Sequence, residues 1–325
     1  MSLRKKQLQD WLNEVLGNQD YSIDSIVSDA SFRKYYRITM CSQSWVVMDA
    51  PPEKERPDAF FRVARMMLMY KLNVPECIAC HQELGFILLT DFGNTQLYHV
   101  KDKTLLYDVA IEVMLSFRRI DPSLVPVYEK VKFLSEMALL QDWFYELIGY
   151  NETSVGVKLY ERLKEELTNV CLLQPQTFIH RDYHSKNLMV LRNDKLGIID
   201  FQDAVYGPIT YDLVSLLRDC YIDLSDDYVY EKVRFVYQEY QSLLKGVSLF
   251  DFQKWFDYVA LQRHTKCLGI FARLALRDEK HEYLQHIPRL IQYINKTLNK
   301  YEGLSYFKEF WFCDVLPVYN KCEVI

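Results

Sequence analysis

The sequence has no apolar run that approaches the roughly 20 residues needed to cross a membrane. Its N-terminus, MSLRKKQLQDWLNEVL, is charged and amphipathic, and it lacks the hydrophobic segment of a signal peptide. The sequence also has no excess of positive charge, because its net charge is −5 and its pI is near 5.9. These absences predict a cytoplasmic protein that binds neither membranes nor nucleic acid.

The sequence has no cysteine framework, although it contains eight cysteines. Scattered cysteines indicate reduced thiols in a cytosol. Cys77 and Cys80 form one C-x-x-C pair, which has no partner pair to complete a zinc site. A metal or redox role is therefore only an alternative interpretation of this pair. No internal repeat or low-complexity segment is present, and nothing points to an obligate protein partner.

Three oxygen-bearing side chains occur in a fixed order in the stretch 177–221. Asp182 follows a short apolar run, Asn187 comes five residues later, and Asp200 ends the second of two short strands joined by a polar loop. Such strands predict a hairpin. If Leu188 faces Ile199, Asn187 lies beside Asp200, and the three side chains gather around one small volume.

Two carboxylates and one amide are suited to a phosphoryl-transfer site. Mg²⁺ prefers oxygen ligands and is usually held by one or two carboxylates together with substrate phosphates. Asn187 and Asp200 are therefore the predicted metal ligands. Asp182 is the predicted catalytic residue, which accepts the proton of a hydroxyl nucleophile. Protein kinases show the same order: an Asp, an Asn after four intervening residues, and a second Asp at the end of the next strand.

This stretch resembles the aminoglycoside phosphotransferase and choline kinase group of kinase-like enzymes. The run IIDFQDAVYGPITYDLVSLLRDCY is similar to one branch of that group, the anomeric kinases of N-acetylmuramate and N-acetylglucosamine. The segments SDASFRKYYRI, VVMDAPPE and LQRHTKCLGIFARL also resemble that branch, so the likeness extends from about residue 10 to about residue 300. The resemblance implies ATP-dependent 1-phosphorylation of such a sugar in cell-wall recycling.

The predicted fold is α+β and two-lobed, like a protein kinase, with a small antiparallel β-rich N-lobe and a large, mostly helical C-lobe. Short β-like runs follow a leading helix over residues 3–16, whereas helical spacing of apolar residues dominates after Thr104. We assign residues 1–90 to a nucleotide-covering N-lobe. Residues 91–325 form the C-lobe, which carries the catalytic loop, the metal site and the acceptor site.

The turn between the first two predicted strands is the expected phosphate-covering element. Ser28 and Ser31 lie in this turn and offer hydroxyl and backbone N–H groups to the ATP phosphates, although the turn lacks glycine. Arg33 begins the next strand and is a candidate phosphate contact, with a solvated face as the alternative. Leu89 and Asp91, at the predicted hinge, are candidates to pair with adenine through their backbone groups.

The third strand departs from the kinase pattern. It ends at Asp49, where kinases carry a lysine that pairs with a helix glutamate. The following helix offers Arg62 and Arg65 but no glutamate. Our hypothesis is that Asp49 pairs with one of these arginines, so that a guanidinium from this helix, with Arg65 the main candidate, reaches the nucleotide phosphates.

The acceptor side is less well defined by the sequence. Asp203 and Tyr206 follow Asp200 closely, and Arg218 and Arg263 are candidates to bind a lactyl carboxylate, with salt bridges to neighbouring acids as the alternative. Asp212 is predicted to be a structural acceptor for N–H groups of the catalytic loop.

The prediction is therefore a kinase with Mg²⁺ as its cofactor, which transfers the γ-phosphoryl of ATP to a small sugar. Three alternatives stay open. The acceptor could be another small alcohol, such as an aminoglycoside, choline or homoserine. The missing lysine suggests a nucleotide-binding pseudokinase. The motif His180-x-Asp182-x-His184 suggests a metallohydrolase, but no further ligand lies suitably nearby in the sequence.

Overall fold

The computed structural model describes residues 3–17, 19–26, 33–53 and 57–323. Within them the chain divides into two compact units. The first comprises residues 1–106 and 187–203, and the second comprises residues 107–186 and 204–325. None of the described helices combines the length and the hydrophobicity needed to cross a membrane.

Nine strands are present in the described residues, and they form one five-stranded sheet and two small two-stranded sheets. The strands are β1 (Ser22–Ile26), β2 (Lys34–Met40), β3 (Gln43–Asp49), β4 (Cys77–His81), β5 (Phe86–Thr90), β6 (Gln176–Ile179), β7 (Leu188–Val190), β8 (Leu196–Ile198) and β9 (Val205–Pro208).

Thirteen α-helices make up most of the remaining described chain. They are α1 (Leu3–Leu16), α2 (Pro57–Met69), α3 (Thr104–Ser116), α4 (Lys130–Leu139), α5 (Tyr145–Ile148), α6 (Ser154–Leu173), α7 (Tyr211–Leu217), α8 (Asp226–Glu239), α9 (Gln241–Leu244), α10 (Leu249–Asp278), α11 (Ile287–Lys300), α12 (Ser305–Phe310) and α13 (Leu316–Tyr319).

The five-stranded sheet of the first unit is antiparallel throughout, with the order β1-β2-β3-β5-β4. One face of the sheet is covered by the leading helix, because α1 places its apolar side chains on the inward-facing residues of the strands. This core comprises Leu8, Trp11, Leu12, Ile38, Val47, Phe86 and Leu88. Strand alternation explains which strand residues belong to this core. Phe86 and Leu88, for example, are two residues apart, so their side chains point to the same face of the sheet.

The hairpin β7–β8 belongs to the first unit, although about 80 residues separate it from the rest of that unit in the sequence. The Ile198 N–H donates to the Asn73 carbonyl at 2.8 Å, and the Val190 N–H donates to Thr95 at 2.7 Å. A Cβ at Gly197 in β8 would lie 2.5 Å from the ring of Phe92, so this ring packs closely against the glycine.

The sequence-based domain boundary differs from these compact units. The division at residue 90 assigned residues 91–106 and the hairpin to the helical lobe, whereas both lie in the first unit. The hydrogen bonds of the hairpin to Asn73 and Thr95 are the physical reason. A sequence pattern of helices and strands does not report these long-range contacts.

The second unit is built around the long buried helix α10, against which α4, α6, α7 and α11 pack. Gly269 allows a close approach of α10 to the end of α4. A Cβ at this position would lie 2.2 Å from the backbone carbonyl carbon of Leu139, at the end of α4. The helical character predicted for the chain after Thr104 is confirmed; within it, α8 ends at Glu239 and is followed by the short helix α9.

Candidate active site

The loop after β6 is fixed by the buried carboxylate of Asp212. β6 pairs with β9 and ends at Ile179, so the chain enters the loop at His180. The backbone N–H groups of His180 and Arg181 donate to Asp212 at 2.6 and 3.0 Å. Burial raises the pKa of Asp212 to about 7, although these two N–H groups act in the opposite direction. The predicted role of Asp212 as a structural acceptor is confirmed.

Asp182 lies in this loop among positive charges. The Arg263 Nη1 donates to the Arg181 carbonyl at 2.6 Å and to the Asp182 Oδ1 at 3.2 Å. Burial acts to raise the pKa of Asp182, but Lys266, Arg263 and Arg181 outweigh it and hold that pKa well below its usual range. The lowered pKa keeps the carboxylate ionised, and the side chain, which is 38% exposed, is reachable from solvent.

Glu136 of α4 anchors the cations next to Asp182. Its carboxylate pairs with Arg181, accepts from the Tyr128 hydroxyl, and lies 3.2 Å from the Lys266 Nζ. Burial acts to raise the pKa of Glu136, but Lys266 and Arg181 lower it overall. Sequence reasoning missed Glu136 because it precedes the loop by about 45 residues and belongs to no motif.

A second buried carboxylate holds the far end of the loop. Asp219 accepts from the backbone N–H of Ser185 at 3.0 Å and from its hydroxyl at 2.5 Å. Ser185 is therefore part of the support of the loop. The Lys186 Nζ lies 3.9 Å from the ring centre of Tyr221. His180, at the start of the loop, is fully buried.

The predicted metal ligands, Asn187 and Asp200, lie at the open end of the hairpin. Leu188 pairs with Ile198, so the predicted register of Leu188 opposite Ile199 was wrong by one residue. The Ile199 N–H instead donates to the Asn187 carbonyl at 3.0 Å, and Asp200 is the next residue. Asp200 is exposed, has a φ of 63°, and accepts from Gln202 at 2.8 Å. The register therefore brings Asn187 and Asp200 to the same end of one hairpin.

The donor set at this hairpin end fits Mg²⁺ bound with a nucleotide. One carboxylate and one amide oxygen are too few to enclose a metal, but they suffice where phosphates and water complete the shell. Within the described residues, no group of three or more His, Cys, Asp or Glu side chains is arranged to hold a metal ion. Asp182 belongs to the second unit, whereas Asn187 and Asp200 belong to the first. Their convergence on one metal-bound nucleotide stays a prediction.

The expected phosphate-covering residues are only partly described. Ser28 and Ser31 lie outside the described residues, and Arg33 is half-buried directly before β2. The hypothesis that Asp49 pairs with Arg62 or Arg65 was wrong.

Asp49 instead pairs with Arg4 of α1, whose Nε lies 3.0 Å from the Asp49 Oδ1. Arg65 is exposed on α2. The third strand ends beneath the leading helix rather than beside α2, and a β-strand pattern cannot indicate which helix covers its end.

The predicted hinge residues have distinct environments. Leu89 is buried in β5, opposite Val46 of β3. The Asp91 carboxylate accepts from Arg37 at 2.7 and 3.0 Å and from the Gly93 N–H at 2.8 Å. Burial acts to raise the pKa of Asp91, but these hydrogen bonds lower it overall. Residues 91–93, with the sequence Asp-Phe-Gly, thus form an ion-paired turn.

The four candidate acceptor residues have different environments. Asp203 is exposed and belongs to the first unit, and Tyr206 pairs with Phe178 in the β6–β9 ladder. Arg263 is engaged with the catalytic loop, as described above. Arg218 is buried, pairs with Asp226 at 2.8 Å, and lines a cavity of about 490 Å³ whose lining does not include Asp182 or Arg263. The salt-bridge alternative is therefore the observed state of both arginines.

A family model described as "Phosphotransferase enzyme family" matches residues 22–243 of this chain. Among curated proteins, the N-acetylmuramate/N-acetylglucosamine kinase of Neisseria meningitidis serogroup B is 34% identical over 314 residues, which cover 93% of each chain. The protein of the same description from Pseudomonas putida is 33% identical and covers 93% of this chain and 94% of its own length.

Solved structures of low sequence identity share the fold. The choline kinase LicA from Streptococcus pneumoniae has a TM-score of 0.65 at 12% identity and covers 91% of this chain and 100% of its own. The ADP-bound aminoglycoside phosphotransferase APH(2'')-Ib has a TM-score of 0.58 at 18% identity, with coverage of 90% and 98%. The predicted α+β, protein-kinase-like fold is confirmed.

Proposed function

This chain belongs to the phosphotransferase enzyme family, and on that premise we propose that it transfers the γ-phosphoryl of ATP to the anomeric hydroxyl of N-acetylmuramate or N-acetylglucosamine. The observation that carries the proposal is the 34% identity, over nearly the whole chain, to a kinase described as acting on these two sugars.

The environment of Asp182 supports an anomeric acceptor. Lys266, Arg263 and Arg181 stabilise the ionised carboxylate, so Asp182 is a weaker base than an ordinary aspartate. A weak base suits an acidic hydroxyl, because less proton affinity is then needed to remove the proton. The anomeric hydroxyl of a reducing sugar is more acidic than an ordinary alcohol, which makes it a better match than choline or homoserine.

In the proposed mechanism Asp182 orients the sugar hydroxyl and takes its proton as the new oxygen–phosphorus bond forms. The bond between the γ-phosphorus and the bridging oxygen of ADP breaks in the same displacement. Arg263 positions the loop through the Arg181 carbonyl and the Asp182 carboxylate. Asn187 and Asp200 would hold Mg²⁺, which when bound neutralises charge on the phosphates.

The remaining assignments are part of the same proposal. We assign residues 1–90 to covering the nucleotide and residues 91–325 to carrying the catalytic and acceptor groups. Ser28, Ser31, Arg33 and Arg65 are proposed phosphate contacts, and the backbone of Leu89 and Asp91 is proposed to contact adenine. Asp203, Tyr206 and Arg218 stay candidates for the sugar. We expect the protein to work in the cytoplasm.

The test is ADP release with a panel of acceptors, followed by ³¹P NMR of the product. We expect turnover with N-acetylglucosamine and N-acetylmuramate, and an anomeric phosphate as the product. The matched control is the methyl glycoside of N-acetylglucosamine, in which the anomeric oxygen is blocked and every other hydroxyl remains.

Turnover of that methyl glycoside, or faster turnover of choline, homoserine or an aminoglycoside, would contradict the proposal. Binding of Mg-ATP without ADP release on any acceptor would instead identify a pseudokinase.

A further inference from the structure

The edge strand β4 carries two thiols on the same face. In a regular strand, residues three apart point to opposite faces of the sheet, so Cys77 and Cys80 should lie apart. The pairing with β5 shifts between Cys77 and Ala79, because Cys77 pairs with Leu89 whereas Ala79 pairs with Leu88. This β-bulge inserts one extra residue into β4. Cys77 and Cys80 consequently project from the same face.

The residue between the two thiols supports their placement on one face of β4. Ala79 packs against the core cluster beneath α1, which contains Leu88 and Phe86. Cys77 pairs with Leu89, and Cys80 pairs with Ile87. The side chains of Leu89 and Ile87 point to the face of the sheet opposite to that of Leu88 and Phe86. The sheet order places β4 at an edge, and both thiols are exposed. The two sulfur atoms are therefore near each other and open to a reagent.

The thiols also interact directly. Cys77 is exposed, but its sulfur is partly shielded from water; this desolvation, with smaller contributions from the charge of Cys80 and from the hydrogen bond to Cys80, raises the pKa of Cys77 to about 11. The Cys77 Sγ lies 3.6 Å from the Ala79 carbonyl oxygen. The raised pKa disfavours the thiolate form of Cys77, so we assign the first attack to Cys80.

We propose that Cys77 and Cys80 form a modification site, an exposed dithiol that reacts with small disulfides such as oxidised glutathione and closes to an intramolecular disulfide. The Cys80 thiolate attacks the reagent, forms a mixed disulfide and releases one thiol. Cys77 then loses its proton to solvent and attacks the Cys80 sulfur, which releases the second thiol. The dithiol loses two electrons and two protons, and the reagent is reduced to two thiols.

The reversible character of this site follows from its geometry. A disulfide between two residues of one strand must bend the strand to reach the preferred Cα separation of about 5.5 Å. Strained, exposed disulfides are reduced more easily than structural ones. Because the described residues contain no group of three or more metal-ligating His, Cys, Asp or Glu side chains, a closed metal site is not the favoured use of this pair.

The dithiol lies beside the strand that leads to the proposed adenine contacts. Cys77 pairs with Leu89, and the neighbouring Glu76 exchanges two hydrogen bonds with Thr90, at 3.0 and 2.9 Å. Closing the disulfide changes the bend of β4 at this point. We therefore expect the oxidised enzyme to have a several-fold higher KM for ATP. This part of the inference rests on the proposed function, whereas the formation of the disulfide does not.

The first experiment measures the disulfide without reference to activity. The reduced full-length protein is treated with oxidised glutathione, its remaining thiols are alkylated, and the tryptic peptide 72–101 is weighed; Cys77 and Cys80 are its only cysteines. We expect this peptide to lose two hydrogens and to escape alkylation. Cys77→Ser should retain a glutathione adduct on Cys80, and Cys41→Ser, an exposed control, should behave as the wild type.

A peptide that is fully alkylated at glutathione disulfide concentrations that modify Cys41 would overturn the inference. An unchanged KM for ATP in fully oxidised protein, measured against the oxidation-insensitive Cys77→Ser/Cys80→Ser variant, would overturn its second part, the effect of the disulfide on nucleotide binding. If the chain had no kinase activity at all, the mass measurement would still test the site, and the change in nucleotide affinity would be measured by thermal shift with Mg-ATP.

Discussion

Asp182 is the residue on which the proposed chemistry depends. As the acceptor of the hydroxyl proton, it contributes through orientation and proton transfer, which are worth about 10²–10⁴-fold in rate. We expect Asp182→Asn to lower kcat by a factor in that range and to leave the affinity for Mg-ATP unchanged. Steady-state kinetics and nucleotide titration measure the two effects. A variant that retains full kcat would exclude Asp182 from the chemistry.

The cations around Asp182 predict a specific pH dependence. Because the pKa of Asp182 is held below its usual range, its carboxylate stays ionised, and we expect no loss of kcat through Asp182 between pH 8 and pH 5. Lys266 is the largest of the lowering influences. Lys266→Met removes this charge, so the effect of burial raises the pKa of Asp182. The acid limb of the pH profile of kcat should therefore move to higher pH by roughly 1 to 3 units.

Lys132→Met is the matched control for this experiment. Lys132 also approaches Glu136, at 3.8 Å, but its side chain is 56% exposed and it is not among the charges that act on Asp182. The acid limb of the kcat profile of Lys132→Met should match that of the wild type. An acid limb that moves equally in both variants would mean that Lys266 acts through Glu136 alone.

Substitution of Asp200 tests its proposed role as a Mg²⁺ ligand. Removing one of two protein ligands weakens binding of the metal and the stabilisation of phosphate charge that it provides. We expect Asp200→Ala to raise the Mg²⁺ concentration needed for half-maximal rate and to lower kcat by about 100-fold or more. Gln202→Ala, which removes only a hydrogen bond to Asp200, should change the Mg²⁺ requirement much less. Equal Mg²⁺ requirements in Asp200→Ala and the wild type would refute the assignment.

At the scale of the element, the approach of α10 to α4 depends on one glycine. A methyl group at Gly269 meets the backbone of Leu139 at 2.2 and 2.3 Å, and a backbone cannot move aside as a flexible side chain can. We expect Gly269→Ala to lower the free energy of unfolding by about 1–3 kcal/mol despite the higher helix propensity of alanine. Urea denaturation measures the change.

Gly303→Ala provides the control. A Cβ at Gly303 meets only the Tyr258 hydroxyl, at 3.7 Å, which is an ordinary contact. Its stability should therefore stay close to that of the wild type. If both variants unfold at the same urea concentration, the close approach at Gly269 does not limit the packing.

The elements that the sequence predicted are those whose signal is local. The leading helix over 3–16 was predicted with the observed bounds, because its amphipathic spacing lies within the segment. Strand β4 was missed because it is short, exposed and interrupted by a bulge that disturbs its alternation. The register of β7 was wrong by one residue, since the number of loop residues alone does not determine where pairing begins.

The same distinction applies to the site. The ordered Asp182, Asn187 and Asp200 were recognisable because they lie within 20 residues and follow a motif. The pairing of Glu136 with Arg181 and the pairing of Asp49 with Arg4 could not be recognised. Each pair joins residues about 45 positions apart in different elements. Charge pairing at such separations follows from tertiary packing, which a single sequence does not display.

At the scale of the whole molecule, the first unit is built from two separate stretches of chain. The hairpin contributes backbone hydrogen bonds to Asn73 and Thr95, and Phe201 stacks on Phe60 with ring centres 4.9 Å apart. We expect residues 1–106 expressed alone to unfold at a lower temperature than the same residues joined to 187–203 by a flexible linker. Circular dichroism during heating compares the two.

The control for this comparison is a linked protein in which Asn73→Ala removes the side-chain hydrogen bond to the Leu196 carbonyl, 3.1 Å long. Its melting temperature should lie between those of the other two proteins. Identical melting of the linked and unlinked proteins would show that the hairpin adds no stability to this unit.

The divided first unit has a consequence for biosynthesis. The ribosome adds the 80 residues 107–186 before it begins the hairpin. At about 5–20 residues per second this interval lasts roughly 4 to 16 s. During it the nascent sheet has no partner for the Asn73 carbonyl or for the ring of Phe60. We therefore expect chaperones to engage this nascent chain mainly within that interval, and slow codons in that part of the message to increase aggregation.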